Sequence, residues 1–123
     1  MLHHISLGVA DLRRSADFYD AVLAPLGYVR VWADATAVGY GEPGGEDKLA
    51  IKLREGASAP GAGFHLALAA PSQEAVAQFH RAALAHGGAD NGAPGLRPHY
   101  GAKYFAAFVI DPDGYRIEAV INE

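Results

Sequence analysis

A chain of 123 residues, half of them apolar, has room for one domain with a real core but not for two independent ones. Its net charge of −4 without a run of like charges argues against nucleic acid, and no apolar stretch approaches the roughly 20 residues that span a bilayer. Cys is absent, so disulfides, thiolate metal sites and Cys nucleophiles are excluded; a cytoplasmic location is expected, and any metal must be held by His, carboxylate or water.

Residues 3–9 are short and apolar-rich and predict a strand. Asp11 is a helix N-cap type, and Leu12, Ala16, Tyr19, Leu23 and Leu26 recur at helical spacing, which predicts a helix over 12–24 that stops at Gly27. Strands are expected at about 28–33, 36–41 and 48–54, with the Glu-Pro-Gly-Gly-Glu-Asp stretch as the last turn. After the small-residue segment 56–61 the pattern starts again. Phe64-His65-Leu66-Ala67-Leu68 reads as a strand, Ser72 as a cap, and Val76, Phe79 and Ala83 as the apolar side of a helix over 73–87. A weak strand near 89–91 and a long loop from Gly92 to Lys103 follow. Strands at 104–110 and 115–121 are joined by Asp111-Pro112-Asp113-Gly114, a tight turn by its Pro and Gly.

The restart is a duplication. A shift of 61 positions lays His4 on His65, Leu7 on Leu68, Phe18 on Phe79 and Gly27 on Gly88, and brings the caps Asp11 and Ser72 together. At the end of each half the offset becomes 66, with Leu49-Ala50-Ile51-Lys52-Leu53 matched to Tyr115-Arg116-Ile117-Glu118-Ala119, so that Lys52 and Glu118 are twins. The fold class is α+β: two tandem βαβββ modules, about 1–56 and 62–123, in a single domain over 1–123.

Three stretches in order resemble one family. His4 to Leu12 with Ser15 and Phe18-Tyr19, then Phe64 to Leu68, then Asp111 to Glu118, resemble the vicinal oxygen chelate superfamily of glyoxalases, bleomycin resistance proteins and extradiol dioxygenases. The resemblance implies a cup of curled mixed sheet with the helices outside. It also implies metal ligands on the first and last strand of each module, namely His4, Lys52, His65 and Glu118. Three of these can ligate a divalent metal (Fe, Mn, Ni or Zn), whereas the Lys52 ammonium cannot. Lys52 then either orients substrate or donates a proton beside a three-ligand site, or pairs with Glu118 in a metal-free pocket. A homodimer is implied as well, either with each chain closing its own cup or with modules exchanged so that His4 meets Glu118 of another copy.

A metal on two imidazoles and one carboxylate keeps positions open for a small-molecule substrate with two neighbouring oxygens. His3 points away from His4 by strand alternation and is the bystander. The 92–103 segment concentrates Arg97, His99, Tyr100, Lys103 and Tyr104, with His99 or Tyr100 suited to proton transfer and the others to substrate binding. Ser6, Trp32 and Tyr40 are further candidates for the cup lining, and His80 and His86 are expected at the surface. The function expected is a metal-dependent enzyme of dioxygenase-like or lyase/isomerase-like type. The alternatives are a metal-free sequestering protein of the bleomycin-resistance type and a degenerate domain without small-molecule chemistry.

Overall fold

Apolar residues alternate along the strands and recur every three or four residues along the helices, which gives each module one face that meets a helix and one that does not. The computed structural model describes residues 1–123. Module one runs β1 (Ile5–Val9), α1 (Leu12–Leu23), a 3-10 turn at Ala24–Leu26, β2 (Val29–Ala33), β3 (Ala37–Gly41) and β4 (Leu49–Leu53). Module two runs β5 (Leu66–Ala69), α2 (Gln73–Ala85), β6 (Ala89–Leu96), β7 (Tyr104–Ile110) and β8 (Arg116–Asn122). Each forms a four-stranded mixed sheet, in the orders β1-β4-β3-β2 and β5-β8-β7-β6, with the first and last strands of each module parallel.

Both helices start as the cap residues dictate. Asp11 accepts from the Arg14 backbone N–H at 3.1 Å and Ser72 from that of Ala75 at 3.0 Å. Helix α1 buries Phe18, Tyr19, Val22 and Leu23, and α2 buries Val76, Phe79 and Ala83. These side chains meet one another and the inward residues of both sheets, among them Leu7, Val9, Ile51, Val109, Ile117 and Ala119, in one continuous core. The helices therefore hold the two modules together. Ala37, Ala50 and Ala106 are buried yet stand outside that core, because they lie on the opposite, open faces of their sheets.

The sheets share no strand pairing, so each keeps an open face of its own. The long loop expected from Gly92 is shorter than its composition suggests. β6 continues to Leu96 against β7, with register shifts between Asp90 and Gly92 and between Gly92 and Gly95. It is an edge strand, where Pro94 and glycine-associated bulges are tolerated. No helix is long and apolar enough to cross a membrane.

Candidate active site

Along β8 the side chains alternate: Ile117 and Ala119 enter the core, while Arg116 and Glu118 share the open face. Glu118 pairs with Ala67 of β5 on one side and Phe108 of β7 on the other. It is 1% exposed, and a carboxylate that deeply buried is costly unless its oxygens are engaged. They are. His65 Nε2 lies 3.2 Å from Oε1, and the Tyr104 hydroxyl donates a hydrogen bond to Oε2. Burial first, and then that bond to Glu118, push the Tyr104 phenol up to about 12.

Two cavities adjoin here and share His65 and Tyr100. One, of about 350 Å³, is completed by Tyr104 and Glu118. The other, of about 260 Å³, extends to Phe64, Asn91, Phe108 and Arg116. Tyr100 meets the Tyr104 ring edge-on at 5.2 Å and carries His99 behind it at 4.1 Å.

The His65–Glu118 pair suits a divalent metal. Bonds of about 2.0–2.2 Å in tetrahedral or octahedral geometry place neighbouring ligand atoms roughly 3.0–3.4 Å apart, which matches the separation of Nε2 and Oε1. The Tyr104 hydrogen bond holds the carboxylate in that orientation, as outer partners of metal ligands do. His65 and Glu118 bring two potential donor atoms together, and no group of three forms within one chain.

His4 lies immediately before β1 of the other sheet, exposed, with its Nδ1 2.8 Å from that of His3. His3 reaches Glu46 at 3.6 Å on its far side. Ser6 is exposed on the open face of its sheet, with Ala50 beside it. Trp32 lies over Gly39, where a Cβ would come within 2.2 Å of the indole Nε1.

Strand register revises the twin of Glu118. Glu118 pairs with Ala67, two residues after His65; two residues after His4 stands Ser6, which pairs with Ala50. Ala50 is therefore the counterpart of Glu118. Lys52 pairs with Gly8 and Ala37, one face-sharing step further along β4, and lies on a different sheet from Glu118. The position equivalent to Glu118 thus carries a methyl group rather than an ammonium, and Glu118 is engaged by His65 and Tyr104 rather than by Lys52.

Other candidates are also placed differently. Tyr40 faces the core, 1% exposed, because it pairs with Leu49 on the helix side of the sheet, and its hydroxyl donates to Asp20 at 2.8 Å. Arg97 folds back over Phe108, 5.3 Å from the ring centroid, and donates to the Ala93 carbonyl at 2.7 Å. Lys103 is exposed and lines neither cavity. His80, expected at the surface, is buried because its Nε2 bonds Asp90 at 2.9 Å across α2 and β6, whereas His86 is exposed. Arg116, Phe108 and Asn91 were not anticipated. Alternation back from Glu118 would have found Arg116, and pairing across the last hairpin would have found Phe108.

The sequence matches the profile of the glyoxalase/bleomycin resistance protein/dioxygenase superfamily over residues 1–119. The chain belongs to that superfamily. Members of this superfamily bind small molecules, and many depend on a metal. Among solved structures, this superfamily member is similar to a glyoxalase/bleomycin resistance protein from Albidiferax ferrireducens T118, at 36% identity and a TM-score of 0.81 over 95% of this chain and 94% of that one. It is also similar to a glyoxalase-related enzyme from Fulvimarina pelagi, at 25% identity and a TM-score of 0.76 over 99% and 88% of the two chains. A glyoxalase/bleomycin resistance protein/dioxygenase family enzyme from Burkholderia phytofirmans PsJN shares the fold at 17% identity, with a TM-score of 0.75 over 99% and 98%. No curated protein matches the chain.

Proposed function

We propose that this chain is a divalent-metal-dependent enzyme acting on a small substrate with two neighbouring oxygens, of dioxygenase-like or lyase/isomerase-like type. The observation that carries the reading is the His65–Glu118 pair, spaced for one metal ion and backed by Tyr104. The third ligand in this reading is His4 from a second copy, since His4 is exposed immediately before β1 of the other sheet and no group of three forms within one chain. A bound divalent metal would supply Lewis-acid stabilisation of negative charge on the substrate oxygens. The protein's own groups have separate tasks: Tyr104 orients Glu118 and Tyr100 walls the cavity, whereas His99 packs on the Tyr100 ring outside the cavity lining. Lys52, Ser6 and Trp32 would approach the substrate from the second copy. The wall is closed to cations at the fourth ligand position by Ala50, which favours three ligands and open sites.

A metal-free binding protein is the second reading, favoured by one observation: Tyr104 and His65 already satisfy Glu118.

Elemental analysis of protein purified without a metal-affinity tag, combined with sedimentation, tests the proposal. Near-stoichiometric iron, manganese, nickel or zinc in a dimer, lost in His65→Ala and in His4→Ala, is the expected result. Mixing the two variants should restore part of the binding, because one of the two mixed sites is then intact. A site that stays empty after reconstitution with each of the four metals overturns the metal enzyme and leaves the second reading.

A further inference from the structure

Arg116 is the basic group of the site that has no resident partner. It is half-buried and lines the smaller cavity with Phe64, His65, Asn91, Tyr100 and Phe108. Arg14, Arg30 and Arg81 each have a carboxylate, while Arg116 is in no ion pair. The acidic groups nearest along the chain are committed elsewhere, Glu118 to His65 and Tyr104 and Asp113 to Arg14 and Ser15; Asp90, beside the cavity residue Asn91, is held by His80. A guanidinium held among aromatic walls in a partly desolvated cleft attracts an anion, and its planar fork matches a carboxylate.

Register fixes where that anion would sit. Leu66 pairs with Ile117, so His65 and Arg116 are neighbours across β5 and β8, and Arg116 is two residues before Glu118 on the same face. Two residues of strand span roughly 6.6 Å. That distance suits a carboxylate on one side of a six-membered ring with the reacting oxygens on the other. Phe108 and Tyr100 give flat walls for such a ring, and the Asn91 amide adds a donor and an acceptor. Arg97, drawn over the outer face of Phe108, holds that wall in place.

We propose that the cavity selects a carboxylate-bearing, ring-sized substrate, with Arg116 as the specificity-determining counter-ion. This deepens the proposed function and rests on it for the reacting end, at His65 and Glu118; the carboxylate end stands on the cavity alone.

Binding of 3,4-dihydroxybenzoate, benzoate and catechol to the full chain, measured by calorimetry and by the Arg116 Nε–Hε resonance without added metal, tests the inference. 3,4-Dihydroxybenzoate should bind about tenfold or more tightly than catechol, and both carboxylates should shift the Arg116 resonance. Arg116→Gln should erase the preference, weakening 3,4-dihydroxybenzoate about tenfold more than catechol, and Arg116→Lys should keep part of it. Circular dichroism identifies any variant that fails to fold, and the wild-type resonance shift and preference then decide alone. No preference in the wild type, or the same preference in folded Arg116→Gln, overturns the inference. Zinc and manganese titrations of the same proteins keep the two ideas separate. Carboxylate preference without metal binding sinks the metal enzyme only; metal binding without carboxylate preference sinks the role of Arg116 only.

Discussion

The Tyr19 hydroxyl of α1 donates to Asp111 Oδ2 at 2.5 Å, which fastens the last turn of the second module to the helix of the first. Asp111 also accepts from the backbone N–H groups of Asp113 and Tyr115, at 2.9 and 2.8 Å. Asp113 in turn reaches the start of α1, accepting from the Ala10 N–H at 2.9 Å, the Ser15 hydroxyl at 2.6 Å and Arg14 at 3.0 Å. Tyr115 completes the clasp by donating to the Gly8 carbonyl at 2.8 Å. A turn motif that reads as simple punctuation is thus the polar joint between the modules.

Removing the Tyr19 hydroxyl tests the joint. Burial pushes the Asp111 carboxyl above its usual range, and the hydrogen bonds from Tyr19 and the turn backbone oppose that rise. Stability linked to this group is therefore fully present below the unfolded value near 3.8 and is lost as pH rises through the raised folded value. Tyr19→Phe withdraws a donor from the charged form. It should cost about 1–3 kcal/mol at pH 7 in urea unfolding, and less near pH 4. An equal loss at both values would show that the bond does not serve the carboxylate.

Asp90 shifts the other way. The His80 imidazole is the main cause that holds its carboxyl below the usual range, and the Gly92 N–H adds to it. Stability from this contact is present above the unfolded value near 3.8 and is lost as pH falls through the depressed folded value. Melting temperatures taken from pH 5 to pH 2 should fall less steeply in Asp90→Asn than in the wild type. Parallel curves would remove Asp90 from the acid response.

Tyr104 governs the alkaline side. In chelator-treated protein its phenol should ionise near 12 by ultraviolet difference absorbance, and Tyr104→Phe should delete that step. The associated stability is present below about 10 and is lost as pH rises through about 12. The same variant deprives buried Glu118 of its donor and should cost about 1.5–3 kcal/mol at neutral pH, read by urea unfolding.

Gly39→Ala probes the open face of module one. The new Cβ would come within 2.2 Å of Trp32 Nε1 and 2.4 Å of Cε2, so the indole has to leave its seat. Trp32 is the sole tryptophan, which makes emission a direct readout. A red shift with increased quenching by acrylamide is expected, with stability changed by about 1 kcal/mol or less, because Trp32 is already 38% exposed. An unshifted spectrum would mean that the ring does not rest on Gly39.

The fold was readable because its signals are periodic. The strand and helix alternations, the caps Asp11 and Ser72 and the 61-residue repeat all survive in the structure. The end of β6 was hidden by Gly92, Pro94 and Gly95, which look like a loop but are accommodated on a bulged edge. Pairing Lys52 with Glu118 was a slip of two residues along a strand. Such a slip keeps every side chain on its own face, so the hydrophobic pattern cannot detect it; only the pairs Ser6–Ala50 and Ala67–Glu118 can. Alternation back from Glu118 reaches Arg116, but its neighbour His65 is visible only through register.

The alternation along β8 has a consequence for how such a chain can change over generations. Ile117 and Ala119 answer to the core, while Arg116 and Glu118 answer to the cleft, although the four are consecutive. A substitution at Ile117 or Ala119 changes the packing of the core, whereas one at Arg116 changes the lining of the cleft. The cleft lining can therefore change at Arg116 without repacking the core one residue away, while the clasp at Asp111 holds the strand in place.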